Sequence, residues 1–138
     1  MPPMRMLGLL LVFLVACHGA NRAMSQRDLL DAKLRCAEAV KTSLRENETL
    51  LDWSCYSPEH NTCLAHIIAR GQTDERVSQI AVVDLATGEA LASYCTYGGS
   101  RQPDISTCLF YEADEKKARE WFLQQAAEME KLKSSCAQ

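Results

Sequence analysis

Excess positive charge, a membrane-length apolar run and the common catalytic and metal-binding motifs are all missing from this 138-residue chain. Fifteen Lys and Arg face eighteen Asp and Glu, a net charge of −3. Nucleic-acid binders use clustered basic residues to neutralise phosphate, so that partner class is excluded. The apolar run Met6–Val15 is half the length of about 20 residues that a helix needs to cross a bilayer core. There are only three histidines, and no Cys-x-x-Cys, His-x-x-x-His or Gly-x-Ser-x-Gly occurs. The usual signatures of structural zinc, thiol redox catalysis and a serine-nucleophile elbow are therefore lacking. Gly98-Gly99-Ser100 has the glycines of a phosphate loop without the Lys-Ser/Thr that would complete it. No catalytic residue, metal or cofactor is read from the sequence.

What is present begins with a leader. Arg5 is followed by Met6-Leu7-Gly8-Leu9-Leu10-Leu11-Val12-Phe13-Leu14-Val15, the charged and apolar segments of a secretory signal. It ends in Leu14-Val15-Ala16-Cys17, which resembles the lipobox of bacterial lipoproteins. That resemblance implies cleavage before Cys17 and acylation of its sulfur and new amino terminus, a membrane anchor needing no transmembrane helix. Residues 1–16 are then the signal peptide. Residues 17–25, which lack apolar periodicity, are the lipidated cysteine and a flexible tether, and 26–138 form one domain of ordinary size. The location implied is the bacterial cell envelope with the domain outside the cytoplasm; ordinary secretion is the alternative.

Setting Cys17 aside leaves Cys36, Cys55, Cys63, Cys95, Cys108 and Cys136, an even number that implies disulfides in an exported chain. The expected set is Cys36–Cys136, Cys55–Cys63 and Cys95–Cys108. The first would close a loop of about 100 residues and contribute about 4.7 kcal/mol in the chain-entropy description.

Leu29, Leu30, Leu34, Ala37, Val40 and Leu44 recur at spacings of three and four and predict a helix from Ser25, its N-cap, to about Leu51. Ala118, Trp121, Phe122, Gln125, Met129, Leu132 and Cys136 predict a second from Asp114 to about Ser135. Between them, Thr62–Ala69, Val77–Leu85, Glu89–Tyr97 and Ile105–Tyr111 read as strands, with Gly88 supplying a positive φ in a hairpin loop. The fold class expected is α+β: two terminal amphipathic helices packed side by side on one face of an antiparallel sheet of about four strands. That packing would bring Cys36 to Cys136.

The mixed set Cys55, His60, Cys63 and His66 could suit zinc, but cysteines outside the cytoplasm are normally oxidised. His60 is expected on a loop tip and His66 at the edge of the core. Tyr56 and Tyr97 flank the expected cystine loops and are the candidate binding residues, because tyrosine joins apolar area to a hydrogen-bonding tip. The functional expectation is a lipid-anchored, non-catalytic module that binds a protein partner in the envelope, of inhibitor, immunity or assembly-accessory type. A secreted hydrolase with carboxylates assembled from distant positions, which leave no local motif, and a purely structural lipoprotein are the alternatives.

Overall fold

Residues 23–71, 74, 76–98 and 114–138 are described by a computed structural model of the chain. The leader, Cys17, the expected strand Ile105–Tyr111 and Cys108 lie outside these residues.

Helix α1 runs Gln26–Ser43. Ser25 caps it as expected, its Oγ accepting from the Asp28 backbone N–H at 3.1 Å. The helix ends one turn or more before Leu51, the end its apolar pattern predicts. Leu44 is extended, and the Glu48 carboxylate accepts from the Arg45 N–H at 2.9 Å, turning the chain into a strand. That strand, β1 (Glu48–Ser57), is followed by β2 (Thr62–Arg70), β3 (Val77–Asp84) and β4 (Ala90–Tyr97). They pair antiparallel in the order β1-β2-β3-β4. Three of the four are the strands expected; β1 is the addition, built from residues at and beyond the expected end of the first helix.

The tight connections follow from short polar side chains. Asp84 accepts from the Thr62 hydroxyl and the Ala86 N–H, both at 2.8 Å, and Gly88, at φ 74°, donates its N–H to the Asp84 carbonyl at 2.7 Å. Gly88 thus takes the left-handed conformation its sequence position predicts. Helix α2 (Glu115–Ser134) is capped by Asp114, whose carboxylate accepts from the Lys116 N–H at 2.9 Å.

The central strands β2 and β3 are apolar on both sides. Ile80, Ala81, Val82 and Val83 are consecutive and all buried, a run expected of a strand covered on both faces rather than one. Successive side chains point to opposite faces. Leu64, Ile80, Val82 and Ala92 pack with Met129 and Leu132 of α2. Ala65, Ile67, Ala81, Val83 and Leu85 pack with Ala39, Val40 and Leu44, and Ala32 and Cys36 of α1 pack with Tyr56.

The two helices therefore lie on opposite faces of the sheet, correcting the side-by-side arrangement. The α1 stripe is corrected with it: Leu29, Ala32, Cys36, Ala39 and Val40 are turned inward, while Leu30, Leu34 and Ala37 are exposed. The stripe on α2 is close to that expected, except that Trp121 is 38% exposed.

This geometry dictates different disulfides. Cys36 bonds Cys63, and Cys55 bonds Cys136, with Cα separations of 5.3 and 5.6 Å. Cys36–Cys136 would have to pass through the sheet, and a bridge needs Cα atoms within about 7 Å. Cys55–Cys63 fails for another reason. Tyr56 is the partner of Cys63 and Cys55 the partner of Leu64, so the two sulfurs leave the hairpin on opposite faces. Each helix is instead stapled to its own face. Cys95 is disulfide-bonded as well; its expected pairing with Cys108 falls outside the described residues.

Candidate functional site at the bulge of β1

The β1–β2 ladder slips once. Ser54 pairs with Ala65 and Leu50 with Ile67, so Leu51, Asp52 and Trp53 together face the single residue His66. Bulges of this kind re-aim side chains and are common beside functional sites. Because the bulge adds two residues, the faces match on either side of it: Leu51 and Trp53 pack on the α2 side with Cys55, and Leu50 on the α1 side with Cys63, while Asp52 departs from the alternation to reach His66.

The bulge assembles a compact polar and aromatic group. Asp52 Oδ1 is hydrogen-bonded to His66 Nδ1, and the Trp53 ring stacks on the imidazole with centroids 5.7 Å apart and planes at 23°. The Asp52 side chain is 51% exposed and that of His66 17%. The hydrogen bond to His66 holds the Asp52 carboxyl below its ordinary value of 3.8, against a smaller opposing effect of burial, and the charge of Lys133 on α2 adds to the lowering. On the neighbouring side, burial and the nearby Asp52 charge raise the Tyr94 phenol above its ordinary 10.0. Tyr94 meets Phe122 of α2 edge-on at 5.1 Å.

This surface is braced on several sides. β1 is held by its ladder to β2 and, three residues beyond Asp52, by the Cys55–Cys136 bridge. The Ala137 N–H donates to the Tyr56 carbonyl at 3.0 Å, and Ser57 Oγ lies 2.7 Å from Ser135 Oγ. The main packing of α2 is on β4, and that of α1 is on β1 across the sheet. Among the described residues, Trp53 and His66 thus sit on the β1–β2 half of the α2 face, beside the body of that helix.

The candidate tyrosines are not brought together. Tyr56 is 8% exposed, packs against Ala32 and Cys36, and hydrogen-bonds through its hydroxyl to Asn61 Oδ1 at 2.8 Å. Tyr97 is 41% exposed, with the Arg76 guanidinium 5.8 Å from its ring centroid. They occupy opposite edge strands, three inter-strand steps of about 4.8 Å apart, and opposite ends of the ladder. His60 lies in the β1–β2 turn as expected, its N–H donating to Ser57 Oγ at 3.4 Å. Cys55 and Cys63 are oxidised, so the mixed zinc set has lost its two sulfur ligands.

A small cleft, open to solvent, lies between the end of α1 and the β3–β4 turn and is lined by Arg45, Glu48, Asp84 and Gly88 among others. It contains two carboxylates, the feature a carboxylate hydrolase would need. Both have structural partners: Glu48 holds the Arg45 N–H, and Asp84 holds Thr62 and Ala86.

Asp52 carried no warning in the sequence, since it occupies neither a motif nor a turn. The signal that could have found it is the hairpin itself: pairing Ser57 with Thr62 and counting back places Trp53 opposite His66. No protein-family model, curated protein or solved structure matches the chain. None of the described helices is long and apolar enough to cross a membrane. The disulfides fit an oxidising compartment outside the cytoplasm.

Proposed function

We propose that the chain is a lipid-anchored protein of the bacterial envelope whose domain binds a protein partner without catalysis, in the manner of an inhibitor, immunity factor or assembly accessory. The Asp52–Trp53–His66 surface is the recognition site in this reading. The observation that carries it is the contact of Trp53, on the cross-linked strand β1, with the His66 imidazole that Asp52 hydrogen-bonds. Binding hot spots favour such rigid aromatic anchors, because little side-chain freedom is lost on association. Tyr97 is a secondary contact, and Tyr56 supports the hairpin from within. Acylation of Cys17, supported by the Leu14-Val15-Ala16-Cys17 pattern, would confine the search for a partner to the membrane-proximal layer.

Photocrosslinking in intact cells from a probe beside the bulge, at Thr49, identifies the partner. Trp53→Ala should then weaken the purified complex by about 30-fold, the scale of a hot-spot residue, while Tyr97→Ala has a smaller effect. A complex indifferent to Trp53→Ala and Asp52→Asn would place recognition elsewhere. Incorporation of a lipid precursor, lost in Cys17→Ser, tests the anchor separately.

A further inference from the structure

The outer side of α1 carries an exposed apolar stripe, with the exposed Asp31 and Glu38 alongside it and Glu38 paired to Lys41 at 3.4 Å. Leu30 and Leu34, 57% and 61% exposed, lie one turn apart with exposed Ala37 continuing the line. The helix cannot roll to bury them, because Cys36 on its inner side is bonded to Cys63 in β2. Arg27 and Lys41, seven residues before and after Leu34, fall almost in line with it and bracket the apolar stretch with positive charge at both ends. Charge separates the helix from the rest of the domain. α1 carries four basic and three acidic residues, whereas the remainder of the chain from Cys17 onward carries ten and fifteen. Only eight residues, His18–Ser25, separate Cys17 from α1, a reach of at most about 28 Å.

We propose that the outer face of α1 rests on the lipid surface to which Cys17 ties the chain, so that Asp52, Trp53 and His66, across the sheet, face away from the membrane. The inference rests on the anchor reading of Cys17. Apolar side chains flanked by basic ones suit the interface plane, where leucines enter the acyl boundary and Arg and Lys reach back to the headgroups. The acidic remainder of the domain is repelled by an anionic surface, which turns the molecule the same way. A short tether and an oriented helix together fix which side of the domain a partner meets.

The full chain, carrying a benzophenone amino acid at Leu34 or at exposed Glu130 on α2, is reconstituted into vesicles of phosphatidylethanolamine and phosphatidylglycerol. Acylation of Cys17 is read by mass in the same samples. Lipid adducts from position 34 are expected to exceed those from position 130 by at least about fivefold, since an interfacial face sits about 5–10 Å into the headgroup boundary. With the probe at Ala37 instead, the double change Leu30→Gln and Leu34→Gln should remove most of the adduct without disturbing the core. Equal yields at 34 and 130 on acylated protein overturn the orientation and leave the anchor standing. A crosslink from position 34 to a second copy or to another protein in intact cells also overturns it. Unacylated Cys17 removes the anchor and the orientation together.

Discussion

The two faces of the sheet solve the same packing problem with different materials. On the α1 face, Ala32, Cys36, Ala39, Val40 and Leu44 meet Ala65, Ile67, Ala81, Val83, Leu85 and Tyr56, a set that is aliphatic apart from one cysteine and one tyrosine. On the α2 face, Met129 and Leu132 meet Leu64, Ile80 and Val82, with Trp53, Tyr94 and Phe122 around them. Of the four fully buried large aliphatics among the described residues, Leu64, Ile80 and Val82 lie on the α2 face and Ile67 on the α1 face; the α1 face is fastened near the chain start, the aromatic-bordered α2 face near the chain end. Stability is therefore expected to reside mainly on the α2 face, and the candidate recognition surface borders that better-supported side.

The largest break in this comparison comes from the bridges. Replacing Cys55 and Cys136 by alanine opens a loop of 81 residues and should cost about 4.5 kcal/mol, against about 3.5 for Cys36 and Cys63 with 27, in the chain-entropy description. Urea unfolding of the two double variants measures the order, and a reversed order would mean that α1 holds more of the fold than its share of fully buried side chains implies. Next comes Leu64→Ala, which empties a fully buried site beneath α2 and should lower stability by about 3 kcal/mol. On the opposite face, Tyr56→Phe removes only the hydrogen bond to Asn61, worth about 1 kcal/mol in the same measurement.

The smallest effect isolates the candidate site. The Asp52 carboxyl is held below 3.8 in the folded chain by His66, so its contribution is complete above the unfolded value and disappears as pH falls through the folded one. Because Asp52 is half exposed, solvent screening keeps that contribution below about 1 kcal/mol. Asp52→Asn should accordingly be less stable than the parent at about pH 6 and converge with it towards about pH 2.5. A gap that persists at low pH would assign the difference to packing rather than to the ionised carboxylate.

Much of this fold was legible in local patterns. Ser25 and Asp114 mark the helix starts, Gly88 marks its turn, and the β-branched runs of β2 and β3 stand out. What escaped depends on pairing between distant residues. β1 escaped because Arg45-Glu46-Asn47-Glu48-Thr49 only weakens the helical pattern, and the strand character of Leu50, Leu51 and Trp53 beyond it appears only when β2 is laid beside them. The disulfides escaped for the same reason: sequence proximity favours Cys55–Cys63, but face alternation along the hairpin forbids it. A continuous apolar run at Ile80–Val83 was the available sign that the sheet is covered on both sides, which places the helices apart. Asp52 and His66 meet across a register slip that no local pattern encodes.

The two assigned bridges also interlock, since Cys55 lies inside the span from Cys36 to Cys63 and is tied beyond it to Cys136. A single peptide-bond cut anywhere between Cys36 and Cys136 consequently leaves both fragments covalently joined. In a compartment rich in proteases, a nicked molecule would keep its two halves and its attachment to whatever holds residue 36. Only a second cut, or reduction, would release a piece.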